Sequence, residues 1–165
     1  MKKHFSLCLS ILVVVCGIGS SIAHAQTDGE KFIKASSFLE KKPLDKTAKD
    51  LRAWAITYLA NTAEVRFAIC SSDLTKPLMD KTGKYSSEIF AQYTIGMAAF
   101  KLANPEKKAD ENAAQLAGFL SALAVYKVFV KLDPKAKDPG MNDLLSKREK
   151  GNLPELINTI GCGKN

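Results

Sequence analysis

Between Ala113 and Leu132 the chain places apolar side chains in nearly every direction around a helix. Leu116, Phe119, Leu120, Leu123, Val125, Tyr126, Val128, Phe129 and Val130 leave little of its circumference polar. A helix that is apolar on most sides has to be buried. Whatever forms must therefore wrap this segment, and we expect it at the centre of a helical bundle. Its most apolar part, Leu116 to Val130, includes Ser121 and Lys127 and is shorter than the roughly 20 residues a bilayer span needs.

Most of the remaining chain has the same period. Gly29 to Lys42 carries Phe32, Ile33, Ala35, Phe38 and Leu39 and stops at Pro43. Thr47 fits an N-cap, with Asp50 three residues on. From there Leu51, Ala55, Tyr58, Thr62, Val65 and Ile69 recur at steps of four and three. This predicts a single helix of about six turns that reaches Cys70. Ser71 to Lys84, with Pro77 and Gly83, reads as a long loop.

Ser86 or Ser87 can cap a helix running to about Ala103, and Asn104-Pro105 stops it and can begin the next. Asp133-Pro134 ends the apolar helix. Asn142 can cap a short helix closed by Gly151, and Pro154 opens a last short one closed by Gly161. Ala122, Tyr126 and Asp133-Pro134 resemble the second helix of a tetratricopeptide repeat, but no second copy follows about 34 residues away. They read as an ordinary helix ending. No segment alternates as a half-buried strand would. The fold class expected is all-α: a single-domain helical bundle of about four longer helices plus two short C-terminal helices, stapled by one disulfide.

The disulfide follows from the first 25 residues. Met1-Lys2-Lys3 is charged, Phe5 to Ile18 is apolar, and Ala23-His24-Ala25 offers a cleavage site. That is the pattern of a secretory signal peptide spanning 1–25, leaving 26–165 as one helical domain. A lipidated Cys16 would want a small residue before it, and Val15 is not small. A retained anchor is weakened by Ser20, Ser21 and His24. Cleavage removes both histidines and two of the four cysteines, so Cys70 and Cys162 remain. An even count in an oxidising compartment favours a bridge. It would join the last helix to the end of the long second one.

The mature chain is poorly equipped for several chemistries. Without histidine it can build neither a Ser-His-Asp triad nor a Cys-His dyad. A disulfide offers zinc no thiolate, and neither a haem-attachment motif nor a glycine-rich phosphate loop is present. We expect no cofactor and no metal. Glu64 and Glu88 remain as a carboxylate pair that could serve glycoside hydrolysis.

Of the 24 basic residues the leader takes two, so 22 stand against 17 acids, a net +5. Charges of both signs are interleaved and only Arg52, Arg66 and Arg148 are arginine. That is not a nucleic-acid footprint. The candidate interaction surface comprises Arg66, between Val65 and Phe67, Lys76 and Lys81 in the loop, and Lys127, Lys131, Lys135 and Lys137, with Asp133 and Asp138 partly neutralising the last four. Trp54 and Tyr58 share the main apolar stripe, which assigns them to packing.

The expectation is an exported helical protein, periplasmic or secreted and bacterial by its Lys-Lys leader, that acts as a binding module for a protein of the cell envelope. At the level of helices plus a disulfide it resembles immunity proteins and periplasmic chaperones. The alternatives are a carboxylate-dependent envelope hydrolase and a bundle that holds a small apolar ligand. Membrane contact is expected only if the leader is retained or lipidated, and the sequence leaves the oligomeric state open.

Overall fold

The computed structural model describes residues 26–160. The leader and Cys162 lie outside the described residues. Seven α-helices follow in order: α1 (Asp28–Lys41), α2 (Ala48–Asn61), α3 (Lys76–Met79), α4 (Ser86–Ala103), α5 (Glu111–Leu132), α6 (Pro139–Glu149) and α7 (Leu153–Ile160). Single 3₁₀ turns at Pro105–Lys107 and Pro134–Ala136 flank α5. Among the described residues there is no strand. The expected four longer and two short C-terminal helices are present.

Local chemistry sets the ends. Thr27 and Glu30 form a reciprocal capping box at the start of α1. Asp110 and Asp138, rather than Asn104 and Asn142, cap α5 and α6 by accepting from the N–H groups of Ala113 and Met141. Pro105 begins only a 3₁₀ turn. Neither Ser86 nor Ser87 caps α4. Tyr85 stands at its N-cap in the left-handed region, φ 64°, which is uncommon for a bulky side chain. The surroundings hold it there: its ring stacks on Phe129 at 4.2 Å, and its hydroxyl donates to Asp133 at 3.3 Å. Gly151, φ 75°, closes α6 as its sequence suggests.

The core has two lobes that share α4. Phe32, Leu39, Ala55, Ile95 and Ala98 fill the space between α1, α2 and α4. Tyr93, Met97, Phe119, Leu123, Tyr126 and Phe129 fill the other lobe, with Leu78, Met141, Leu144 and Ile157 closing its far side. As expected of a central helix, α5 packs on α1, α4, α6 and α7, and it shares that place with α4. α4 packs on α1, α2, α3 and α5, while α5 keeps Leu120 41% exposed. Close approach joins these two helices. A Cβ on Gly96 would come within 2.5 Å of the Ser121 Cβ, and one on Gly118 within 2.8 Å of the Tyr93 carbonyl oxygen. The two glycines thus let α4 and α5 approach closely along one seam. α5 is also, by length and hydropathy, able to cross a bilayer, contrary to the shorter span read from sequence. Over half of its most apolar window is buried in the bundle, as for a soluble core helix.

The largest departure is the second helix. It ends at Asn61, where the Asn61 amide donates to the Thr57 carbonyl and Thr62 turns to φ −78°, ψ 144°. Residues 62–71 form no helix. Instead they run as a strap across α4 and α5. Lys108 Nζ donates to the carbonyl of Glu64, Lys101 Nζ to that of Arg66, and Gln115 Nε2 to that of Ala68. Thr75 Oγ1 donates to the Cys70 carbonyl at 2.8 Å. These side chains replace the helical partners of the backbone carbonyls and hold Val65 in the core without a helix.

Candidate functional site

The strap's departure leaves α2 and α3 as two separate walls over α4. Between them lies an open groove of about 790 Å³. Its floor is the outer face of α4, from Ser86 to Thr94, with Phe90 and Ala91 at the centre. Ile56 of α2 forms one wall, and Leu78 and Met79 of α3 the other. Ile56 is 41% exposed, although it is a large aliphatic residue. The polar floor atoms are turned to internal acceptors: Thr94 Oγ1 donates to the Ala91 carbonyl at 2.8 Å and Ser87 Oγ to Glu88 at 2.8 Å. A second depression of about 450 Å³ shares Ile56, Ser87 and Ala91 with the first and adds Lys49, Arg52, Ala53 and Glu88. The two make one trough, apolar at the α3 end and charged at the α2 end.

The charges singled out from sequence are dispersed. Arg66 is exposed on the strap and donates to its own turn, to the Thr62 carbonyl at 2.8 Å. Lys76 pairs with Asp73 at 2.5 Å, and this ion pair and hydrogen bond raise its pKa. Lys81 lines the apolar groove beside Asp80. Lys127, Lys131, Lys135 and Lys137 are exposed at the far end of α5 and beyond. Asp133 accepts from Lys84, Tyr85 and the Lys135 N–H, and the Lys84 hydrogen bond holds its pKa below the usual carboxylate range. Asp138 caps α6. Of the basic sequence candidates, Lys81 borders the groove.

Sequence reasoning missed Arg52. Its Nη2 donates to the Pro43 carbonyl at 3.3 Å, while its Nε is buried without a partner. Burial pulls its pKa down, and Glu88 opposes that shift through charge alone. The available signal was its position one turn before Ile56 on the same helix face.

Glu64 and Glu88 do not come together. Glu64 borders a cleft with Asp28, Trp54 and Tyr58, and Glu88 lies in the groove. Trp54 and Tyr58 stack on each other at 5.9 Å, and Tyr58 lies 5.0 Å from Phe32, so both pack against the α1 lobe. Among the described residues no cluster of potential metal ligands occurs. No protein-family model matches the chain, and no curated protein or solved structure matches it.

Proposed function

We propose that the chain is an exported binding module, and that its groove takes the apolar face of a helix from a partner protein. The observation that carries this reading is the open apolar trough itself. A small ligand typically has 70–90% of its surface buried by its site, and a floor with two low walls gives less cover than that. A docked helix needs only one face covered. Ser87 to Thr94 extends for about 10 Å along α4 at 1.5 Å per residue, which matches two turns of a helix anchored at i, i+3 and i+7. Met79 suits such a surface because its unbranched side chain adapts to different partners. The hydrolase alternative has lost its carboxylate pair. A titration of ¹⁵N-labelled protein with a synthetic helical peptide bearing leucines at that spacing should move amide signals of α2, α3 and α4 together. Shifts spread evenly over the surface, or none, would refute the assignment.

Export and the bridge belong to the same proposal. Asn158 on α7 accepts from Asn112 at 3.1 Å, and one turn further along α5 Gln115 donates to the Cys70 sulfur at 3.5 Å. The end of α7 and Cys70 thus meet neighbouring turns of one helix, and Cys162 follows four residues after Asn158. These distances support a Cys70–Cys162 disulfide. The mature protein should begin at Gln26 and weigh two hydrogens less than its reduced form. Free thiols at both cysteines would refute the bridge.

A further inference from the structure

We infer that the partner helix carries a single carboxylate beside its apolar anchors, and that Arg52 at the α2 end of the groove receives it. This rests on the groove reading of the preceding section and gives it a chemical polarity.

Three observations point the same way. First, Arg52 lines the charged depression that continues the apolar one, sharing Ile56, Ser87 and Ala91 with it. Second, the guanidinium is under-used. Of its five N–H donors, one is given to the Pro43 carbonyl, and Nε is buried with no acceptor. A buried donor without a partner is costly, and because Nε is enclosed the donors left for a ligand are the remaining Nη hydrogens. Third, the local charge selects the anion. Lys49 and Arg52 face one acid, Glu88, so the end of the trough has one net positive charge. One carboxylate balances it, whereas a phosphate dianion would overshoot. Among the described residues Arg52 forms no ion pair within 4 Å, and Glu88 instead accepts from Ser87. The planar fork is fixed at one edge by Pro43 and suits paired hydrogen bonds to a carboxylate.

The test uses two blocked synthetic helices that present leucines at i, i+3 and i+7. One has glutamate a turn beyond the last leucine and the other has glutamine there. Each is also made with the polar residue at the opposite end, to allow either direction of docking. Calorimetry on the oxidised mature protein should show one glutamate peptide binding about tenfold or more tighter than its glutamine twin, the scale of a charge-assisted hydrogen bond. Arg52→Gln should remove that preference, the ratio of the two twins' affinities falling to about one whatever happens to both together. Arg52→Lys keeps the charge without the fork, guards against loss of the Pro43 contact, and should retain only part of the preference. Equal binding of both twins to the unaltered protein overturns the Arg52 assignment and leaves the groove standing. Failure of every peptide to bind overturns the groove reading beneath it. Preference unchanged in Arg52→Gln assigns the anion to Lys49 and also overturns the inference.

Discussion

Replacing Lys101 by methionine should loosen the strap while leaving the helices in place. Lys101 is 1% exposed, and its ammonium group is shared between the Glu111 carboxylate and the Arg66 carbonyl. Methionine keeps most of the buried stem, so little cavity cost is added. What is lost is one half of a buried pair, which costs about 3–5 kcal/mol where the abandoned charge is fully enclosed. Glu111 keeps 22% side-chain exposure and a long 3.5 Å contact from the Ala68 N–H, so water can reach it. We therefore place the loss near 3 kcal/mol, at the low end of that range. For a domain of this size that corresponds to a fall in Tm of about 12 °C. Urea unfolding measures it. The double variant Lys101→Met/Glu111→Leu should recover at least about 1.5 kcal/mol relative to the sum of the single changes. A Lys101→Met protein within about 0.5 kcal/mol of the original, or strictly additive single changes, would refute the strap's anchoring.

Three further outcomes follow from the packing, the titrating groups and the sulfurs. Gly118→Ala brings a methyl group within 2.6 Å of Met97 Cγ and 2.8 Å of the Tyr93 carbonyl. It should destabilise the protein by about 1–2 kcal/mol even after the roughly 1 kcal/mol that alanine gains in a helix, as thermal unfolding would show. Burial raises the Tyr93 phenol well above its ordinary value, so the stability it lends is complete below about pH 10 and declines as the pH rises towards the folded-state value. Tyr93→Phe should flatten the stability profile above that pH while costing about 1 kcal/mol at neutrality, through the lost hydrogen bond to Gln115. Reduction of the proposed disulfide opens a loop of 92 residues, 162 − 70, and should lower stability by roughly 4–5 kcal/mol. Equal unfolding midpoints with and without reductant would contradict that figure.

The helices were legible because periodicity reports burial. Phe32 and Leu39 in α1, and Phe119, Leu123 and Phe129 in α5, are fully buried, as their spacing requires. The end of α2 was not legible for the same reason. In sequence Thr62, Val65 and Ile69 continue the stripe, yet of the three only Val65 is buried, Ile69 is 43% exposed, and the backbone beneath them is not helical. An extended backbone can carry the same residues. The choice was made by Lys101, Lys108 and Gln115, whose bonds to the strap span 35 to 47 residues, and no local pattern encodes that. The groove was hidden with it, since it exists only where α2 stops and α3 begins. Arg66 attracted attention as a charge between two apolar residues, but its side chain is exposed. Arg52 drew none, although its Nε is the buried one without a partner. Burial of a long side chain depends on what packs over it, here Pro43 and the neighbouring α4, and spacing within α2 does not reveal that.

The central claim is that the trough over α4 is where the protein meets its partner. A photo-reactive phenylalanine analogue at position 91, on the groove floor, and the same analogue at position 120, exposed on α5, should be compared in the cells that export the protein. Irradiation should give one discrete protein adduct from position 91 and none from position 120. Adducts of equal yield from both positions, or none from the groove, would contradict the account. A small mass increment at position 91 alone would transfer the site to a small apolar ligand.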